Sequence, residues 1–128
     1  MSGPLVIIED DPDILDLLID LLADQGIEAI AVPPQPADMR ALPLRPAVAL
    51  IDLMLPGTSG IDVARKIRAM YPDVPLLAMS ASRLMLEVAM GSGMFDAHVA
   101  KPFDLSLLLE AVQAAMAVSR QAPTAAAS

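Results

Sequence analysis

The chain contains no cysteine, so disulfide bridges and thiolate metal sites are excluded, and its composition is compatible with a reducing, intracellular compartment. Basic residues are scarce. Eight Lys+Arg stand against sixteen Asp+Glu, and the formal charge of −8 opposes sequence-independent attraction to nucleic-acid phosphates or anionic lipid. Any nucleic-acid role would need another domain. No uninterrupted apolar run approaches the roughly 18 residues of a membrane span. The N-terminus has no basic segment ahead of an apolar stretch and a small-residue cleavage site. These absences predict a soluble, cytoplasmic protein with neither membrane nor direct nucleic-acid contact. Tryptophan is missing too, so no indole can report ligand binding by fluorescence.

What is present is enough apolar material for a core, since 128 residues at 55% hydrophobic suit one compact domain. Its placement is informative. Leu5-Val6-Ile7-Ile8 runs into Glu9-Asp10-Asp11, and Ala47-Val48-Ala49-Leu50-Ile51 delivers Asp52. Farther on, Leu76-Leu77-Ala78-Met79 ends in Ser80, and His98-Val99-Ala100 ends in Lys101-Pro102. Short apolar runs of this kind read as buried parallel strands. In an open α/β sheet the carboxyl ends of the strands form the ligand crevice, so these end residues converge there. Several acids beside one lysine point to a divalent cation and a phosphoryl group.

Between the runs the helix signals are clear in most places. Asp11 is an N-cap with Pro12 at the first helical position, and Gly26 ends that helix. Asp16, Asp20 and Asp24 recur every four residues as a solvated acidic stripe, opposite Ile14, Leu18, Leu21 and Leu22. Strands are predicted over about 4–9, 27–32, 47–52, 74–79 and 97–100. Pro33-Pro34-Gln35-Pro36 forces an extended connection, and only Ala37 to Leu42 can form a short helix before Pro43 and Pro46. Pro56-Gly57 marks a turn, and Ser59-Gly60-Ile61-Asp62 has capping-box spacing at the start of a helix to about Met70. A helix covers about 83–90, and Asp104 caps a last one to about Val118. The expected organisation is one domain over 1–118, with 119–128 a disordered tail or linker remnant. Five strands alternating with helices predict a three-layer α/β domain with right-handed crossovers.

Four pieces in order at the strand ends resemble a known family. They are Ile7-Ile8-Glu9-Asp10-Asp11, Asp52-Leu53-Met54-Leu55-Pro56-Gly57-Thr58-Ser59-Gly60, Ser80-Ala81 and Lys101-Pro102-Phe103. Together they look like the receiver domain of two-component response regulators, and the resemblance covers about residues 4–118. It implies a chemotaxis-regulator-like, flavodoxin-like fold: a doubly wound five-stranded parallel sheet, (βα)5, in strand order 2-1-3-4-5. It implies that Asp52 is the phosphoacceptor, that Glu9 and Asp10 are the acidic pair for Mg²⁺, and that the Met54 backbone carbonyl is a further metal ligand. Ser80 would be the switch hydroxyl and Lys101 the phosphoryl-binding lysine, aimed by a cis peptide before Pro102. The implied partner is a sensor histidine kinase or phosphotransfer protein. The implied catalysis is limited to the domain's own phosphorylation and dephosphorylation, so it is not an enzyme in the ordinary sense.

The chemistry of the residues supports those roles on its own terms. A carboxylate can act as a phosphoryl-accepting nucleophile, but its charge must approach an anionic donor, so screening is essential. Mg²⁺ takes oxygen ligands, commonly one or two carboxylates with waters and phosphate oxygens, which fits Asp10 and Asp52 directly with Glu9 acting through water. One divalent cation and one lysine balance the three carboxylates. Taken singly, Asp10 and Asp11 suit a turn or helix cap, Ser80 suits a cap, and Lys101 suits a surface lysine with an apolar stem.

The chain departs from the family's pattern at His98, where Phe or Tyr is usual as the aromatic switch. An imidazole in that place would add pH sensitivity near neutrality; an ordinary surface histidine would not. The fourth and fifth helices are unusually apolar, so the fourth helix, fifth strand and fifth helix are a candidate homodimer face. Met54 and Ser82, two residues beyond Asp52 and Ser80, stand where the family tunes dephosphorylation. A thioether orients water poorly, which predicts a long-lived phosphoryl group. Two other functions are open: a pseudo-receiver interaction module not switched by phosphate, and a Mg²⁺-dependent aspartyl-phosphate hydrolase. The latter wants an acid two residues after its nucleophile, where this chain has Met54.

Overall fold

The computed structural model describes residues 3–32 and 45–127, with side chains described as far as 117. Three strands are buried at every residue, β1 (Leu5–Ile8), β3 (Val48–Asp52) and β6 (Leu76–Ser80), while the edge strand β7 (Ala97–Ala100) buries only Val99 fully. With β2 (Ala29–Ala31) they form one parallel sheet in the order β2-β1-β3-β6-β7. Counted as main-sheet strands this is 2-1-3-4-5, the predicted doubly wound order.

The period of two along each strand divides the core into two separate faces. Leu5, Ile7, Val48, Leu50, Leu77 and Met79 point to one cluster, which is closed by Leu18 and Leu22 of α1 (Pro12–Asp24) and Leu108 and Val112 of α4 (Leu105–Ala127). Val6, Ile8, Ala49, Ile51, Leu76 and Ala78 point to the other, closed by Val63 and Ile67 of α2 (Gly60–Met70) and Leu86 and Ala89 of α3 (Arg83–Gly91). A parallel sheet needs both faces covered because its backbone and side chains are buried on both. Three layers result. The acidic stripe of Asp16, Asp20 and Asp24 faces solvent.

Local signals act at the helix ends. The Asp11 side chain accepts from the Asp13 and Ile14 N–H groups, and Asp104 accepts from Leu107 N–H, capping α1 and α4. The expected capping box at α2 is only half formed. Ser59 Oγ accepts from Ile61 N–H at 3.1 Å, but Asp62 turns outward to pair with Arg65 at 2.7 Å. An exposed guanidinium one turn away competes for that carboxylate. Pro56-Gly57 makes a tighter turn than the sequence shows. Gly57 has φ +73°, and the chain around it forms a small antiparallel hairpin of β4 (Met54–Leu55) and β5 (Thr58–Ser59).

The short helix expected over Ala37 to Leu42 lies outside the described residues. The predicted fourth helix, fifth strand and fifth helix are α3, β7 and α4. The backbone of α4 continues to Ala127, past the end near Val118 that the sequence predicts. The added segment is rich in alanine, the strongest helix former. No described helix is long and apolar enough to cross a membrane.

At the amino-terminal end of the sheet, Arg68 of α2 ties three loop carbonyls together. Nη1 donates to Pro72 O at 2.7 Å and Val74 O at 2.8 Å, and Nη2 donates to Met94 O at 2.5 Å. Asp96 completes the knot, accepting from Leu76 N–H at 2.8 Å and standing 3.6 Å from the guanidinium.

Candidate functional site

The opposite, carboxyl-terminal end of the sheet gathers the polar residues. β1 lies between β2 and β3 in the sheet, so the chain leaves β1 and β3 toward opposite edges and opens a crevice between their ends. Ile8 pairs with Ile51 in register, which sets Glu9 beside Asp52. Both acids are buried, at 3% and 4% exposure, and Ser80 at the end of β6 is buried as well. Asp10 is exposed at the rim.

Lys101 follows β7 directly, and its peptide bond to Pro102 is cis. Its Nζ donates to Glu9 Oε2 at 2.6 Å and to Asp52 Oδ2 at 3.0 Å. The remaining carboxylate oxygens are held by backbone. Glu9 Oε1 accepts from the Asp10 and Asp11 N–H groups at 3.1 and 3.2 Å, and Asp52 Oδ1 accepts from Met54 N–H at 3.0 Å. These bonds fix both carboxylates without using Asp10.

Burial pushes the Glu9 carboxyl above its ordinary value, and the nearby Asp52 adds to the rise; the bonds from Lys101 and the Asp11 N–H only partly oppose it. For Lys101 burial acts the other way, lowering its pKa. The hydrogen bonds to Glu9 and Asp52, with their negative charge, outweigh that and hold the ammonium above its usual range. The lysine is therefore a fixed cation and not a base.

One oxygen from each of Glu9, Asp10 and Asp52 lies within 4.8 Å of the others. Three carboxylates facing one lysine leave excess negative charge, and an all-oxygen donor set of this kind suits a hard cation such as Mg²⁺. The residues fit that ion. They do not suit a thiophilic metal, for which the chain has no thiolate.

Of the residues singled out in the sequence, Glu9, Asp10, Asp52 and Lys101 thus come together, and Met54 is tied to them through its N–H. The Met54 side chain is 59% exposed at the mouth of the crevice. Ser80 is adjacent but engaged elsewhere: its Oγ accepts from Ser82 N–H at 3.0 Å and its carbonyl from Lys101 N–H at 2.9 Å. His98 stands apart, exposed on β7 across from Ala78. Two contributors carry no signal in a single sequence. The Asp11 N–H bond to Glu9 is a backbone contact, and so is the bond from Gly60 N–H to Leu53 O at 3.1 Å.

A doubly wound parallel sheet with acids after its first and third strands and a lysine after its last defines a class of signalling domain. Residues 5–113 match the response regulator receiver domain, and the chain belongs to that family. It is 32% identical over 126 residues to the DNA-binding response regulator MtrA of Mycolicibacterium smegmatis, covering 96% of this chain and 54% of that protein. It is 33% identical over 113 residues to the sensory transduction protein RegX3 of Mycobacterium bovis, covering 87% of this chain and 49% of that one. The chain thus spans about half the length of the curated relatives it matches. Among solved structures it resembles a CheY-like response regulator receiver domain protein from Methanospirillum hungatei, with TM-score 0.81 and 22% identity, covering 94% of this chain and 98% of that one.

Proposed function

We propose that this receiver domain is the phosphorylation switch of a two-component phosphorelay, with Asp52 accepting a phosphoryl group from a phosphohistidine on a sensor histidine kinase or phosphotransfer protein. The observation that supports it is the Lys101 ammonium held between Glu9 and Asp52, with the Asp10 carboxylate alongside. A carboxylate oxygen of Asp52 forms the new P–O bond as the P–N bond of the donor breaks, and the imidazole nitrogen leaves with that electron pair. Little covalent chemistry is asked of the protein; positioning and charge stabilisation carry the step. Glu9, Asp10, Asp52 and the Met54 carbonyl would hold Mg²⁺, which supplies neutralisation of the donor's oxygens. Lys101 serves the same oxygens from the other side.

Output follows from a change of surface. The Ser80 hydroxyl, whose oxygen accepts from Ser82 N–H, donates its own hydrogen to the phosphoryl oxygens, and β7 with His98 responds. The face offered to partners is α3, β7 and α4, where Leu84, Val88 and Leu107 are 67%, 50% and 62% exposed. A second copy of the chain is the proposed occupant. The functional unit is placed at 1–118, in the cytoplasm, with 119–128 as linker. The acidic chain itself is given no direct role on DNA; the word DNA-binding belongs to the longer MtrA proteins.

The test is incubation with Mg²⁺ and acetyl phosphate followed by intact mass. One added phosphoryl group, absent in Asp52→Asn, is expected. No adduct in the wild type would favour the pseudo-receiver, and rapid turnover of unrelated phosphate esters would favour the hydrolase.

A further inference from the structure

Gly60 opens α2, and nothing in its own backbone calls for glycine: the positive-φ glycines are Gly26, Gly57 and Gly93. Alanine has the higher helix propensity at such a position. The space around it is the reason for glycine. A Cβ there would overlap the Asp52 carbonyl oxygen and would stand 2.6 Å from Leu53 Cα and 2.9 Å from the Asp52 carbonyl carbon. All three are backbone atoms, so no side-chain rotation relieves the clash.

The peptide so closely approached belongs to the acceptor itself. On its other flank Leu53 N–H donates to Met79 O of β6 at 3.0 Å, and Gly60 N–H donates to Leu53 O at 3.1 Å. The Asp52-Leu53 unit is therefore gripped between the sheet and the first turn of α2. The carboxylate that grows from this unit is steadied in turn by Met54 N–H. Any shift of the peptide moves both carboxylate oxygens relative to Glu9 and Lys101.

We propose that Gly60 is a positioning residue for the acceptor: its missing side chain lets α2 seat on the Asp52-Leu53 peptide, and that seat sets the carboxylate against the cation and Lys101. This rests on the phosphoacceptor reading of Asp52. Displacements of about 1 Å at a reacting centre can cost on the order of a hundredfold in rate.

The experiment uses the whole chain and three readouts: Mg²⁺ affinity by calorimetry, unfolding by urea, and the acetyl phosphate rate by intact mass. Gly60→Ala is expected to weaken Mg²⁺ about fivefold and slow phosphorylation roughly tenfold or more. Arg68→Lys, which loosens the far end of the sheet, should lower stability and leave Mg²⁺ affinity at the wild-type value. If Gly60→Ala does not fold, Ser59→Ala decides. It removes the cap on the same turn without adding an atom beside Asp52, and about a twofold or greater loss of Mg²⁺ affinity is expected. Wild-type affinity and rate in folded Gly60→Ala, or wild-type affinity in Ser59→Ala where the alanine variant is unfolded, would overturn the proposal. A wild type that binds no Mg²⁺ at millimolar concentration removes the site reading itself, and this proposal with it.

Discussion

Replacing Lys101 with methionine tests the electrostatics of the site without changing its bulk. The lysine side chain is 17% exposed and its partners Glu9 and Asp52 are buried, so the variant leaves two buried carboxylates facing each other. Stripping one partner from a buried pair costs about 3–5 kcal/mol. Two features reduce this. The lysine keeps some contact with solvent, and Glu9, already raised by burial, can take up a proton once its hydrogen bond is gone. An expected loss of about 2–3 kcal/mol follows, or roughly 6–12 °C in Tm for a domain of this size.

The cation and the pH should each modulate that loss with a defined sign. Mg²⁺ at a hundred times its Kd stabilises by about 2.7 kcal/mol. Removing the lysine also removes its repulsion of the cation, so the Mg²⁺-dependent gain should exceed the wild type's by about 1 kcal/mol or more. Glu9 has a folded pKa above its ordinary 4.5, so its proton favours folding below that value and the benefit is lost as pH rises through the raised one. Without Lys101 the rise is larger, and the Tm deficit at pH 5 should be smaller than at pH 7. The Lys101 contribution is fully present below its ordinary 10.5 and lost as pH rises through its raised pKa, so the two proteins should converge in strong alkali. Thermal unfolding by circular dichroism, with and without Mg²⁺, measures all of this. A Tm loss under about 3 °C at pH 7, or a Mg²⁺ gain no larger than the wild type's, would refute the reasoning.

Other outcomes follow from single residues. Arg68→Lys forfeits at least two of the three carbonyl bonds, because an ammonium cannot reproduce the guanidinium fork, and should cost about 1.5–3 kcal/mol in urea unfolding; under about 0.5 would contradict the knot. Met54→Asn places a hydrogen-bonding group at the exposed mouth of the site and should shorten the phosphoryl lifetime several-fold, followed by radiolabel decay; an unchanged lifetime counts against a role for that position. Self-association through α3, β7 and α4 predicts a dimer by sedimentation with beryllofluoride and Mg²⁺, reduced by Leu84→Asp. A monomer at high concentration in both states would remove the proposed face.

Much of this was legible because strand ends are punctuated. Leu5 to Ile8 and Ala47 to Ile51 are apolar without interruption, and the residue that breaks each run is the one the crevice needs. Asp11, Gly26 and Asp104 announce helix ends by side-chain chemistry or by conformation that any sequence exposes. What stayed hidden is made of backbone contacts between distant segments. Nothing in Ser59-Gly60-Ile61-Asp62 tells that Gly60 touches Asp52, and its capping-box spacing concealed that Asp62 would prefer Arg65. The carbonyls gathered by Arg68 come from two separate loops, before β6 and before β7, which no local pattern joins. The sequence predicts an end to the last helix near Val118, and the extension of α4 to Ala127 runs on through Pro123, against the local rule for a helix interior.

The division of the strands between two cores carries a further meaning. Every neighbouring pair of strand residues belongs to opposite faces, so one residue inserted inside β3 would exchange its two cores and turn Asp52 away from the crevice together. The acceptor is locked in phase with the hydrophobic alternation upstream of it. Length changes can accumulate in the connections between strands, where parity resets, but within β1, β3 and β6 the chemistry and the core share a single reading frame.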